Sequence, residues 1–216
     1  MTSKELREDI IDHARDFEAS GLSVGKSGNI SARYEQGFVI TPTGFAYADL
    51  QPDNLAFCNM DGSLIDGDWA PSSEWPFHAA IYQAREDINA IVHCHSTYAT
   101  AIACNRKPIP AFHYMVATVG GNSIECADYA TFGSVELSRN AVQALGNRKA
   151  CLLANHGQVA TGNTVAGAYQ LAREVEALAR QYCISLQFGE PVLLDDEEMA
   201  RNVEKFKRYG RQQEAE

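Results

Sequence analysis

The sequence predicts an α/β fold: one three-layer α/β/α domain over residues 1–216, built around a central and mainly antiparallel sheet. Segments of helical periodicity and short apolar runs alternate along the chain, and no linker, repeat or low-complexity segment divides them. Turn signals at Gly37 and at residues 59–62 separate the short runs of the first third, as is typical of antiparallel hairpins. With 216 residues and 45% apolar content, the chain can bury a substantial core.

The first half of the chain is predicted to hold one helix followed by strands. Apolar residues at helical spacing predict an N-terminal helix that Gly21 ends. Ser73 then caps a helix that runs to about residue 85, which places Glu74 in the first turn of that helix. Strands are predicted over residues 30–34, 38–41, 55–58 and 63–65.

In the second half, the apolar run over residues 90–95 is predicted to form the central strand. Further strands are predicted over residues 123–127 and 150–154. Helices are predicted over residues 97–104, 133–145, 164–186 and 195–209. This interleaving of helices and strands favours a single domain.

Composition excludes several classes of partner. The formal net charge of −10 argues against nucleic acid or an anionic membrane surface, although a small anion is acceptable if its charge is met locally. No stretch approaches the roughly 20 apolar residues that span a bilayer. Residues 1–20 lack the apolar core and cleavage site of a signal peptide, so none is predicted there. The six scattered cysteines, none in CxxC spacing, favour buried reduced thiols. We therefore expect a cytoplasmic protein without nucleic-acid or membrane partners.

Two histidines one residue apart suggest a metal site. On a β-strand, His93 and His95 point to the same side because side chains alternate between faces. A bare pair of this kind is about as typical of a solvated strand face as of a metal site. Glu74 and His156 favour the metal site over the solvated face. Both follow turn or strand-end signals, where a side chain can point into a cleft. These four residues predict one zinc ion bound by three imidazoles and a carboxylate.

Three turns of small residues offer a place for an anion. They are Gly25-Lys26-Ser27, Thr43-Gly44 and Ser72-Ser73. The first is not a nucleotide-binding P-loop, because Ser20 stands where that motif needs glycine and a strand follows. Exposed backbone N–H groups and small hydroxyls still bind phosphate without that motif. Each turn taken alone is more often only a turn or a helix cap.

Two further histidines have open roles. His78 lies one turn after Glu74 on the same helix face, so it is either a ligand or an interior histidine behind the site, and the second is favoured. His113 adjoins Tyr114, and nothing in its surroundings defines its role.

Several segments together resemble class II aldolases of the fuculose-phosphate type, in the aldolase and adducin-head superfamily. They are residues 28–31 (GNIS), 40–44 (ITPTG), 71–75 (PSSEW), 93–95 (HCH), 113–115 (HYM), 120–124 (GGNSI), 130–133 (ATFG) and 204–210 (EKFKRYG). The resemblance runs nearly end to end. It departs from the family at Lys26, where close relatives commonly carry threonine, and whether this lysine contacts a phosphate is open.

The resemblance implies a set of site residues. The zinc ligands would be Glu74, His93, His95 and His156, and the phosphate pocket would comprise Asn29, Thr43, Gly44, Ser72 and Ser73, with Gly28 shaping its loop. Glu74 would also act as general acid and base. Tyr114 would donate a proton to the aldehyde oxygen, and Tyr209 with the C-terminal tail would close the site. A cyclic homotetramer with active sites between subunits is implied as well.

The implied activity is a reversible, zinc-dependent cleavage of a ketose 1-phosphate such as L-fuculose 1-phosphate. The products would be dihydroxyacetone phosphate and a short aldehyde such as L-lactaldehyde. Pentulose-phosphate 4-epimerases are an alternative, but they usually carry aspartate where this chain has Glu74. Methylthioribulose-phosphate dehydratases keep the glutamate and remain a second alternative. A non-catalytic interaction domain, as in cytoskeletal relatives, is a third, and the apparent metal ligands argue against it.

Overall fold

A computed structural model describes residues 3–209. Its α-helices are α1 (Ser3–Arg15), α2 (Trp75–Ala84), α3 (Thr97–Cys104), α4 (Val135–Leu145), α5 (Val165–Ser185) and α6 (Asp196–Arg208). Its strands are β1 (Asn29–Tyr34), β2 (Gly37–Ile40), β3 (Ala56–Cys58), β4 (Leu64–Asp66), β5 (Ala90–Cys94), β6 (Cys126–Ala127), β7 (Ala150–Leu153) and β8 (Gly157–Gly162). The tail after Tyr209, which was expected to help close the site, lies outside the described residues.

The eight strands form one sheet in the order β4-β3-β2-β1-β5-β8-β7-β6. All neighbours are antiparallel except the β6–β7 pair, which confirms the predicted mainly antiparallel sheet. In the register of the central strands, His93 lies opposite Asn29 on one side and opposite Val159 on the other. The centre of the sheet therefore places a histidine beside an asparagine that the family resemblance assigns to the phosphate pocket.

Helices cover both faces of the sheet, so the predicted three-layer architecture is confirmed. Val92 and Cys94 belong to the apolar cluster that includes buried residues of α1, α3 and α5. Ile91, on the opposite face of β5, belongs to a second cluster with buried residues of α2 and α4. Among the described residues, no helix is long and apolar enough to cross a bilayer.

Several helix boundaries differ from the prediction, among them the start of α4 at Val135 rather than at residue 133. The first helix ends at Arg15, and turns continue the chain to Gly21, whose φ of +74° favours glycine. Ser73 does not cap α2: the helix begins at Trp75, and Glu74 is its N-cap residue rather than part of its first turn. Pro76 suits this start, since proline at the beginning of a helix removes an N–H that has no partner there.

One strand, β8, was not predicted from the sequence; it lies between β5 and β7 in the sheet. Glycines stand at both of its ends, and its apolar residues Val159 and Ala160 form too short a run to signal a strand. The omission matters because β8 leads directly out of the turn that carries His156.

The helix that follows His95 is held by a carboxylate from another helix. Ser96, the N-cap residue of α3, makes no side-chain capping bond. Instead Glu176 on α5 accepts hydrogen bonds from the backbone N–H groups of Tyr98 and Ala99, each at 2.9 Å. A carboxylate at this end also complements the helix dipole. Glu176 therefore anchors the chain just beyond His95.

We expect Glu176→Gln to lower the free energy of unfolding by about 0.5–1 kcal/mol, because the helix end loses a charged acceptor. Chemical denaturation measures the change. The matched control is Glu174→Gln, a partly exposed position two residues earlier on the same helix, which should unfold like the unmodified protein. Equal stability of the two variants would show that Glu176 does not cap α3.

Candidate metal centre and anion cradle

Four side chains from separate parts of the fold converge on one point. Glu74 precedes α2, His93 lies in β5, His95 follows that strand, and His156 lies in the turn between β7 and β8. One donor atom from each lies within 4.8 Å of all the others. Ligands about 2.0–2.2 Å from one zinc ion lie at most about 4.4 Å apart. The four donors are thus nearly assembled for a single ion.

The turn between β7 and β8 sets the position of His156. Asn155 adopts the left-handed conformation with φ of +54°, and its N–H donates to the carbonyl of Ala103 at 3.0 Å. Gly157 follows because a Cβ there would lie 2.4 Å from the carbonyl oxygen of Cys94. This close approach brings the imidazole of His156 within 4.9 Å of the His95 ring, centroid to centroid.

The hydrogen bonding of His93 leaves the lone pair of its Nε2 facing the other candidate metal ligands. Its ring is fully buried, and Nδ1 lies 2.8 Å from the carbonyl oxygen of Gln158. A carbonyl only accepts, so Nδ1 carries the proton and Nε2 carries the lone pair in the neutral ring. Nε2 lies 3.2 Å from Glu74 Oε2 and 3.0 Å from His95 Nε2. A cation bound by these atoms would relieve their mutual repulsion.

Electrostatics favour the ligating forms of Glu74 and His95. Burial alone would raise the pKa of the Glu74 carboxyl, but the interactions with His93 and His156 together outweigh it and hold that pKa well below the ordinary value. Burial and the neighbouring imidazoles lower the pKa of His95 to about 3, so its ring is neutral. Glu74 Oε1 is buried without a hydrogen bond, although His156 Nε2 lies 3.1 Å away. Three imidazoles and a carboxylate are a donor set that suits a divalent ion such as zinc.

A cavity of about 390 Å³ opens beside these donors. All six residues predicted for the phosphate pocket line it, namely Gly28, Asn29, Thr43, Gly44, Ser72 and Ser73. Three of the four predicted metal ligands, Glu74, His95 and His156, line the same cavity, and His93 is buried behind them. The structure thus brings the two predicted sets together in one cleft. The individual roles of these residues stay predictions.

The backbone of the anion cradle depends on glycine and on a buried tyrosine. Gly28 has φ of +91°, and a Cβ there would lie 2.8 Å from the carbonyl oxygen of His93. The hydroxyl of Tyr47 donates to the carbonyl oxygens of Ser27, at 3.1 Å, and Gly28. Burial, and then the nearby Glu74 charge, raise the pKa of Tyr47 far above its ordinary value, so the hydroxyl remains a donor.

Tyr114 and Tyr209 do not line this cavity. Tyr114 is half exposed and stacks on Phe206 of α6 with ring centroids 6.2 Å apart, while Phe206 meets Tyr209 edge-on. The two tyrosines predicted to act on the aldehyde side therefore lie together at the surface of this chain, apart from the metal donors. His113, whose role was open, accepts a hydrogen bond from the backbone N–H of Met115.

The cavity wall includes three residues that were not predicted from the sequence, namely Tyr129, Phe132 and Asn155. Lys26 and Ser27, which belong to the first of the predicted anion-binding turns, also line it. Lys26 is the one lysine or arginine among the described lining residues, so it supplies positive charge beside the cradle. Residues 130–133 belong to the segments that resemble the family, and that segment was the available signal for Phe132.

Comparisons with known proteins agree with this geometry. The family model described as Class II Aldolase and Adducin N-terminal domain matches residues 8–183. The 5-methylthioribulose-1-phosphate/5-deoxyribulose-1-phosphate aldolase of Rhodospirillum rubrum is 51% identical, over 95% of this chain and 92% of its own. The L-fuculose phosphate aldolase of Escherichia coli K12 is 47% identical, over 97% and 98%. A solved L-fuculose 1-phosphate aldolase superposes with a TM-score of 0.93 at 41% identity, over 96% and 98%.

Removing the metal should destabilise the protein. We expect about one divalent ion per chain, and a ligand present at 100 times its dissociation constant stabilises a fold by about 2.7 kcal/mol. Chelation should therefore lower the melting temperature, and added zinc should restore it. His95→Ala should lose most of the metal by elemental analysis, whereas His113→Ala should retain it. Full metal content in His95→Ala would contradict the assignment of His95 as a ligand.

Proposed function

This chain belongs to the class II aldolase and adducin N-terminal domain family and is a lyase, and on that premise we propose that it reversibly cleaves a ketose 1-phosphate between C3 and C4. The products are dihydroxyacetone phosphate and a short aldehyde. One observation carries the proposal: the four metal donors and the cradle of small residues share a single cavity. Such a cavity can hold the phosphate while the bond three carbons away is broken.

We assign the metal as one zinc ion per chain, held by Glu74, His93, His95 and His156. When bound, it would act as a Lewis acid for the negative charge that develops on the substrate as C3–C4 breaks. The phosphate would lie against Asn29, Thr43, Gly44, Ser72 and Ser73, with Gly28 shaping the loop. Lys26, which lines the same cavity, would add a positive charge on the phosphate side.

Glu74 is our choice for the proton transfer at C3. Its carboxylate lies between the cradle and the histidines, and Asn29 donates a hydrogen bond to its Oε2 at 3.0 Å. In cleavage Glu74 would deliver a proton to C3, and in synthesis it would remove one from dihydroxyacetone phosphate. A carboxylate suits both directions because sharing its cationic neighbours with a bound substrate restores its basicity.

The aldehyde side requires a donor from another subunit. Tyr114 and Tyr209 lie at the surface, away from the cavity of their own chain, so we propose that they serve the site of a neighbouring copy in a cyclic homotetramer. There Tyr114 would exchange a proton with the oxygen at C4, and Tyr209 would help to cover the site. The six cysteines are all free thiols, which supports the expected cytoplasmic location.

The relatives suggest three candidate sugars, which differ only in the aldehyde half. L-fuculose 1-phosphate or a similar ketose 1-phosphate, which would give L-lactaldehyde, accords with the Escherichia coli relative. 5-Deoxyribulose 1-phosphate and 5-methylthioribulose 1-phosphate accord with the Rhodospirillum rubrum relative, and the former would give acetaldehyde. All of them yield dihydroxyacetone phosphate. The alternatives of an epimerase and a dehydratase are less favoured, because both relatives are named as aldolases. Glu74, where epimerases usually carry aspartate, argues further against the epimerase alone.

The decisive experiment offers the zinc-loaded protein dihydroxyacetone phosphate with a panel of short aldehydes and identifies the products. We expect a ketose 1-phosphate from one or more of L-lactaldehyde, glycolaldehyde and acetaldehyde. Glu74→Gln should reduce turnover at least about 100-fold while keeping part of the metal, since it loses the acid–base group but retains one oxygen ligand. Absence of condensation with every aldehyde would refute the aldolase proposal, and full turnover in Glu74→Gln would refute the role of Glu74.

Hybrid oligomers test the shared site. Glu74→Gln and Tyr114→Phe should each be nearly inactive alone, but chains co-expressed in equal amounts should recover about a quarter of the unmodified activity. That fraction follows because a site needs Glu74 from one chain and Tyr114 from its neighbour, each intact in half of the subunits. Mixtures no more active than the two parents would show that each chain completes its own site.

A further inference from the structure

A line of buried polar side chains leads from Glu74 into the layer between the sheet and α2. Asn29, His78, Ser31 and Tyr82 follow one another along it, and each is at most 2% exposed. Asn29 Oδ1 lies 2.5 Å from His78 Nε2, Ser31 Oγ lies 2.7 Å from His78 Nδ1, and Tyr82 Oη lies 2.8 Å from Ser31 Oγ. Buried polar groups of this kind are costly unless each one has its partner.

The carboxylate at one end fixes the direction of the first bonds. Asn29 Nδ2 lies 3.0 Å from Glu74 Oε2 and 3.0 Å from Ser72 Oγ. An ionised carboxylate only accepts hydrogen bonds, so the amide nitrogen of Asn29 must face Glu74. The amide oxygen then faces His78 Nε2. Because that oxygen also only accepts, Nε2 of His78 must carry a proton.

The other ring nitrogen completes the line. Complete burial is the main reason that the pKa of His78 is lowered to about 3, so the ring is neutral and its Nδ1 is an acceptor. The hydroxyl of Ser31 therefore donates to Nδ1 and in turn accepts from the hydroxyl of Tyr82. Every donor along the line points toward Glu74, and bonds aligned in this way polarise one another.

We propose that His78 is a positioning residue for the proposed reaction: by donating from Nε2 to Asn29 Oδ1, it locks the Asn29 amide with its nitrogen toward both Glu74 and Ser72. If the amide turned over, its oxygen would face the carboxylate, and Ser72 would lose a donor. One buried histidine thus orients the acid–base residue and a wall of the anion cradle together. Its effect on turnover rests on the proposed function, while its effect on the amide does not.

The competing explanation is that His78 only fills space. Its ring stacks on Phe77 with centroids 4.5 Å apart and planes 25° apart, so a ring of that shape stabilises the core whatever its polarity. The two explanations predict opposite effects for phenylalanine and glutamine at position 78. Phenylalanine retains the ring but neither hydrogen bond, whereas glutamine loses the ring but can place an amide N–H where Nε2 was.

Kinetics of His78→Phe and His78→Gln separate the two explanations. Loss of a side chain that orients a ligand costs about 10- to 100-fold in activity or metal affinity. We therefore expect kcat/KM to fall by that factor in His78→Phe, with a weaker affinity for inorganic phosphate by calorimetry, and to recover most of the loss in His78→Gln. His13→Phe, the same substitution on α1 outside the cavity, should change neither quantity. The reverse order, with phenylalanine nearly normal and glutamine worse, would overturn the proposal.

The tautomer of His78 provides a test that needs neither activity nor a variant. Ring ¹⁵N chemical shifts in the unmodified protein should show the neutral form with the proton on Nε2. A proton on Nδ1, or a doubly protonated ring, would overturn the proposal even if the variants behaved as expected. A protein that cleaved no sugar phosphate but showed this tautomer would refute the proposed function and retain the orientation of Asn29.

Discussion

The site depends on one electrostatic constraint: a carboxylate is buried among three imidazoles at the centre of a sheet. Burial of Glu74 by itself disfavours its charge, and the interactions with His93 and His156 reverse that preference. The backbone carbonyl of Gln158 directs the lone pair of His93 toward the same point. Gly157 allows the close approach that positions His156, and the Asn29 amide satisfies Glu74 Oε2.

The sheet provides the rigidity that such a centre needs. β5 lies between β1 and β8, so His93 is flanked on one side by Asn29 and on the other by the strand that leaves the His156 turn. Main-chain hydrogen bonds across three central strands therefore fix the relative positions of a metal donor, an amide of the anion cradle and the neighbouring turn. Sites built on regular elements hold their geometry more closely than sites built on loops alone.

The sequence was informative where a local pattern has one physical meaning. The HxH pattern on an apolar strand placed two imidazoles on one side, and their Nε2 atoms lie 3.0 Å apart. Boundaries set by competing local signals were less accurate: Ser73 looked like a helix cap, but α2 begins at Trp75, and Pro76 suits that start. β8 was not predicted because it has no long apolar run; it is buried because β5 and β7 lie on either side of it. The orientation of the Asn29 amide could not be predicted from the sequence, since it depends on a contact with His78, 49 residues away.

The proposed sharing of the site between chains would explain how relatives can carry different sugar names. The groups that would hold dihydroxyacetone phosphate, the cradle and the metal donors, belong to one chain and are joined through Asn29. The aldehyde half would meet Tyr129, Phe132 and residues of a second subunit, whose contacts are set by surface side chains rather than by the central sheet. Surface positions change at little cost to stability, whereas a change in the buried network leaves a polar atom without a partner. Specificity for the aldehyde can therefore diverge while the carbon–carbon chemistry stays fixed.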